Sequence, residues 1–200
     1  MSDLFTCLLA AAMWLRPSYL DRGEWAETRD ERQARMEIVA TAIERAVDQV
    51  PLRGNGWRLT RQQFGFLLLG QAFSESALQH AVHAGKCGPR QCDIRYIRVG
   101  VSYHAAHSMW QIHESQRVSH DEWESIHHDT QEATDLAALI AARILVAGMR
   151  CDRTMAGAVA FYAAGKCVDP DGSSGTYTLA ASKQRVLFSE QLRRRFWAKP

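Results

Sequence analysis

Residues 60–82 read TRQQFGFLLLGQAFSESALQHAV, and the fold is decided by how this stretch packs. Thr60 followed three positions later by Gln63 is a capping-box start, which predicts a helix from Arg61 to about Val82. Phe64, Phe66, Leu67, Leu68, Leu69, Ala72, Phe73, Ala77 and Leu78 then distribute apolar groups all round the axis. A helix that is apolar on every face is normally buried on every face. It is therefore the predicted central helix of the domain. Gly65 and Gly70 suit that position, because neighbouring helices can approach closely where a side chain is missing.

One charge interrupts the stretch. Between Arg61 and Lys86 the only Asp, Glu, Lys or Arg is Glu75. It follows Phe64 by eleven residues, which brings it within about 20° of that side chain on the helical wheel. An unpaired carboxylate in such surroundings loses hydration and favours its protonated form, and a protonated acid near neutral pH is what general acid catalysis requires. The other reading, equally open at this point, is a buried Glu neutralised by an Arg or capping another helix.

The rest of the chain surrounds this helix with more of the same class. It has 200 residues, 46% hydrophobic and 23% charged, which is too apolar for a disordered chain and long enough for one domain. A net charge of +2 provides no broad basic field for nucleic acid. No apolar run reaches the roughly 18 residues of a membrane span. Helical spacing recurs over 30–50 (Met36, Ile38, Val39, Ile43, Val47) and over 130–149 (Leu136, Leu139, Ile140, Ile144, Leu145). A third, small-residue helix is expected from an N-cap at Asp152 to a left-handed cap at Gly165. Strand-like alternation is confined to 93–103, a candidate hairpin. Residues 4–15 read as a short apolar helix packed on the core. They make an unconvincing signal peptide, since the flank carries Asp3 and no Lys or Arg. Residues 184–199 read as an amphipathic terminal helix with Val186, Leu187, Leu192 and Phe196 inward and Arg193, Arg194 and Arg195 in water. That basic run is also a candidate tether for an anionic wall polymer.

Five cysteines leave at least one unpaired within the chain. If the helix between Cys151 and Cys167 is continuous, their Cα atoms are about 24 Å apart, so they are not expected to pair. Cys87 and Cys92 are near enough for a local bridge, and free thiols throughout are the simpler alternative. The histidine pairs 80 and 83, 104 and 107, and 127 and 128 admit a zinc site with Cys87 and Cys92, but without the tight ligand spacing that marks one. No metal and no cofactor is therefore expected. Trp110, Tyr96 and Tyr103 are candidates for stacking on sugar rings, or for filling a core.

Glu75-Ser76, Ser108-Met109-Trp110-Gln111-Ile112 and Phe161-Tyr162-Ala163-Ala164-Gly165 occur in that order. They resemble the three signature blocks of the soluble lytic transglycosylases, to which goose-type lysozymes are similar. In that family the blocks are Glu-Ser at the end of a central helix, Gly-Leu-Met-Gln followed by Ile or Val, and Tyr-Asn-Ala-Gly. The resemblance covers roughly residues 59–167 and implies a mainly α (α+β), lysozyme-like fold with a buried central helix and a small β-hairpin insertion. It divides the chain into an N-terminal helical segment (1–58), the core (59–168), and a loop with a basic helix (169–200), all in one structural domain.

The resemblance also implies an activity: cleavage of the N-acetylmuramic acid to N-acetylglucosamine bond of peptidoglycan, by a bacterial or phage protein acting at the cell wall as a monomer. Glu75 is then the general acid and, in the second half of the reaction, the base. Gln111 lines the cleft, Tyr162 lies near the carboxylate, and Ser76, Ser108 and Trp110 are further candidates for substrate contact. Three departures stand out. Ser108 replaces a glycine, Ala163 replaces an asparagine, and Gln111 follows Glu75 by 36 residues, room for an insertion. A hydrolase of the same bond would need a second carboxylate at a suitable distance. Asp93 is the one acidic residue between Glu75 and Gln111, though it reads more simply as a turn residue. An inactive glycan-binding or assembly domain and, further off, a zinc-binding structural protein are the alternatives.

Overall fold

The computed structural model describes residues 3–15, 25–86, 94–96, 102–104, 106–114, 116, 118–167 and 179–197. These form a mainly helical protein. The helices are α1 (Asp3–Trp14), α2 (Arg29–Gln49), α3 (Arg61–Ser76), α4 (His80–His83), α5 (His120–Ser125), α6 (Gln131–Asp152), α7 (Met155–Ala164) and α8 (Leu179–Phe196). Three two-stranded antiparallel pairs accompany them: β1 (Arg53–Gly54) with β2 (Trp57–Arg58), β3 (Ile94–Tyr96) with β4 (Ser102–His104), and β5 (Ala106–His107) with β6 (Ile112–His113). The β3–β4 pair, in register Arg95 with Tyr103, is the hairpin expected within 93–103. No helix among the described residues is long and apolar enough to cross a membrane.

α3 is central, as its all-round apolar pattern requires. Phe64, Phe66, Leu68 and Leu69 are completely buried, and α1, α2, α6 and α8 all pack on it. The capping box forms as read, with Gln63 N donating to Thr60 Oγ1 and Thr60 N donating to Gln63 Oε1. A Cβ at Gly65 would stand 3.3 Å from Leu4 Cδ1 on α1, so that glycine marks a helix crossing. α1 buries Leu4, Leu8, Ala11 and Ala12.

The structure departs from the sequence expectation in four places. α3 stops at Ser76 and not near Val82, because Ala77 and Leu78 both take left-handed backbone (φ 52° and 55°). The freed groups are satisfied locally: Ser76 Oγ donates to Ala72 O at 2.8 Å and accepts from Leu78 N at 3.2 Å. The short helix α4 resumes beyond the break.

The N-cap of α7 is Thr154, which accepts from Gly157 N. Asp152 instead ends α6 and accepts from Thr154 N at 2.9 Å.

Cys151 and Cys167 form a disulfide with Cα atoms 5.4 Å apart. The expectation that they could not pair assumed one straight helix between them. The chain instead turns at Arg153 (φ 63°), α7 spans only Met155–Ala164, and Gly165 (φ 70°) turns it again. Cys7 is a free thiol, pushed above its ordinary value by burial and by Asp3.

On α8, Leu192 is buried and Val186 and Phe196 pack against the core as expected, but Leu187 is 56% exposed and Ser182 and Ser189 are buried in its place. Ser189 faces Gly70 of α3, where close approach matters more than apolar bulk. The basic run is also engaged: Arg193 pairs with Glu190 and Arg195 lies 4.3 Å over the Trp14 ring.

Candidate active site

Three separate segments meet around α3. The break after Ser76 leaves Glu75 in the last turn of α3, where its side chain is 19% exposed. Its Oε1 accepts from Gln71 Nε2 at 2.7 Å, one helical turn earlier, and from Arg185 Nη1 on α8. The carboxylate is therefore paired, contrary to the expectation of an isolated acid. Of the two readings open in the sequence, neutralisation by an Arg is the one the geometry supports.

The second block is the connection between β5 and β6, with His107 opposite Ile112. Four residues close it, and two of them, Ser108 (φ 65°) and Gln111 (φ 49°), have left-handed backbone. Such conformations cost non-glycine residues of the order of 1 kcal/mol and persist where surroundings enforce them. Ser108 Oγ accepts from Trp110 N at 3.2 Å, and Gln111 folds back so that its Nε2 donates to Ser108 O at 3.0 Å. The indole of Trp110 is completely buried and donates to Leu68 O on α3 at 3.0 Å. It fastens the hairpin to the central helix and has no exposed face for a sugar.

The third block supplies Tyr162 from α7. Its hydroxyl donates to Trp110 O at 2.6 Å, and its own carbonyl accepts from Gln116 Nε2 at 2.6 Å. Burial pushes the hydroxyl well above the ordinary phenol value; the charge of Glu75 pushes it further and that of Arg185 opposes. Tyr162 is thus in the electrostatic field of the Glu75–Arg185 pair, as a neutral phenol.

Of the candidate residues, Trp110 and Tyr162 are bonded to each other, and Tyr162 lies in the field of Glu75. Ser76 closes α3, Ser108 and Gln111 shape the turn, and all three are buried. Asp93 lies outside the described residues, as do Cys87 and Cys92. Two site residues were not singled out in the sequence. Gln71 carried a usable signal, since it precedes Glu75 by four residues on one helix. Arg185 carried none, being 110 residues away on a helix read as solvated.

An open hollow of about 590 Å³ lies between α1, α3 and α8, lined by Met13, Trp14, Leu15, Phe73 and Phe188. Phe73 stacks on Phe188 with ring centroids 5.4 Å apart, and Trp14 is 47% exposed. The histidines serve other ends. His80 stands between Glu27 and Asp129 at 3.7 and 3.6 Å, and His107 lies against Trp123. Among the described residues no three of His, Cys, Asp or Glu are grouped to hold a metal ion.

Comparison of the chain with family models, with curated proteins and with solved structures gives no match in any of the three.

Proposed function

We propose that this protein is a lysozyme-like lytic transglycosylase that cuts the N-acetylmuramic acid to N-acetylglucosamine bond of peptidoglycan. The observation that carries the reading is the convergence of three distant segments: α3, which bears Glu75, the Ser108–Gln111 turn and Tyr162 on α7, joined through Trp110, with Tyr162 in the field of Glu75. A second observation supports it. Ser108 stands where the resembled family has glycine, and its backbone is left-handed, the conformation that glycine adopts without cost.

In the reaction, Glu75 gives its proton to the bridging oxygen as the bond to the sugar's C1 breaks, and the bonding pair stays with the departing sugar. The C6 hydroxyl oxygen of the remaining sugar then bonds to C1, and its proton passes to the Glu75 carboxylate. The product ends in an anhydro ring, water is not consumed, and the acid is restored. One carboxylate serves both halves. The disulfide between Cys151 and Cys167 agrees with work at a cell wall, since such bonds persist in oxidising compartments.

A second reading, an inactive glycan-binding domain, is favoured by one fact: Arg185 already neutralises Glu75. Incubation with purified sacculi and mass spectrometry of the released products separates the possibilities. Anhydro-ended fragments that disappear in Glu75→Gln support the transglycosylase, and reducing ends point to a hydrolase. Sedimentation with sacculi that survives Glu75→Gln without release of fragments points to binding alone.

A further inference from the structure

We propose that Arg185, carried to the site by α8, is the positioning residue for Glu75 and, with Gln71, commits Oε2 to giving and taking the proton. This rests on the glycan-cleavage reading above.

The two bonds to the carboxylate fall on the same oxygen. Oε1 accepts from Gln71 Nε2 and from Arg185 Nη1, and no described residue donates to Oε2. The two oxygen positions therefore differ: one is held by two donors, and the other, labelled Oε2, is left to exchange a proton. Gln71 is 1% exposed, and Glu75 is the one hydrogen-bond partner of its amide among the described residues, its own Oε1 being buried with none. The Arg185 side chain is 17% exposed, and its carbonyl accepts from the Ser189 hydroxyl at 2.9 Å. Ser189 is the residue that packs on Gly70. The absence of a side chain at position 70 thus lets α8 approach closely enough to deliver the guanidinium to Glu75.

This division of labour suits both halves of the reaction. The proton on Oε2 passes to the bridging oxygen, and the carboxylate left behind is stabilised by the cation already on Oε1. When the C6 oxygen bonds to C1, its proton returns to Oε2 and the starting state is restored. Arg185 touches no sugar in this scheme; it acts through Glu75.

The test is steady-state cleavage of soluble glycan strands by the full chain, with folding followed by circular dichroism. Arg185→Met is expected to lower kcat by about tenfold or more and leave KM within about twofold, because a transition-state interaction is lost and uniform binding is not. Guanidinium ion added at millimolar concentration to Arg185→Ala is expected to raise its kcat, a rescue that a purely structural role would not give. A folded Arg185→Met with kcat within twofold of wild type, or above it, overturns the inference. Should Arg185→Met not fold, Arg185→Gln decides: it keeps a hydrogen-bond donor but loses the cation, and a kcat equal to wild type overturns the inference. Wild-type protein that releases no fragments removes the glycan-cleavage reading itself. An active wild type with indifferent Arg185 variants removes only the role of Arg185.

Discussion

Gly70 on α3 and Ser189 on α8 touch so closely that a Cβ at position 70 would lie 2.1 Å from Ser189 Oγ and 3.2 Å from Ser189 Cβ. Gly70→Ala is therefore expected to destabilise the protein by about 1–3 kcal/mol, the range for overpacking, although alanine is the better helix former. Most of the clash is with the hydroxyl. Gly70→Ala combined with Ser189→Ala should recover a large part of the loss, and urea unfolding of the two single variants and the double measures that non-additivity. Additive losses would mean that the helices do not meet here.

Ser108 makes the opposite comparison, at a site where glycine should be tolerated. Its φ of 65° costs any L-residue, and its hydroxyl offsets part of that by accepting from Trp110 N. Ser108→Ala keeps the backbone cost and loses the acceptor, and should destabilise by about 1 kcal/mol. Ser108→Gly loses the acceptor but relieves the backbone, and is expected to be the more stable of the two in urea unfolding. The reverse order would show that the turn is not left-handed in solution.

His83 should make the protein acid-sensitive. Its Nε2 faces Thr134 Oγ1 at 2.8 Å, and that hydroxyl donates to Thr130 O, so the ring nitrogen is assigned as the donor. Burial, then the charges of Arg35 and His80, push the imidazole down to about 3 from an ordinary 6.5. In that window the unfolded chain binds a proton that the folded protein refuses, so stability falls as pH drops from about 6.5 toward 3. The melting temperature of wild type should decline over this interval, and His83→Gln should show a shallower decline. Equal slopes would deny His83 the role.

The Cys151–Cys167 bridge closes a loop of 16 residues in sequence separation, for which the chain-entropy argument gives about 3 kcal/mol. Cys167→Ser, or reduction of wild type with dithiothreitol, should lower the unfolding free energy by roughly that amount. Reduction should have no further effect on Cys167→Ser. A wild type whose melting is indifferent to reductant would show that the bridge is not formed.

Much of the architecture was legible because it depends on local pattern. The capping box at Thr60, the all-round apolar run from Phe64 to Ala72, the left-handed cap at Gly165 and the 93–103 hairpin each depend on residues a few positions apart. The errors have a common cause. Asp152 and Thr154 both suit an N-cap, and only the path of the chain chooses between them. Cys151 and Cys167 looked too distant because a helix is straight until something turns it. On α8, hydrophobicity points Leu187 inward, whereas Ser189 is buried against Gly70, since a close crossing selects for small size.

The candidate site shows the same division. The amino-acid sequence by itself determined that one carboxylate, Glu75, would interrupt a buried central helix. Whether that carboxylate stood alone or paired was decided by tertiary structure. Its partner, Arg185, is 110 residues away and arrives because α8 docks on the bare backbone of Gly70. Helix periodicity is set by bonds between residues four apart, so it can be read along the chain. The pairing of two charges across helices depends on how whole surfaces fit, and no local pattern records that.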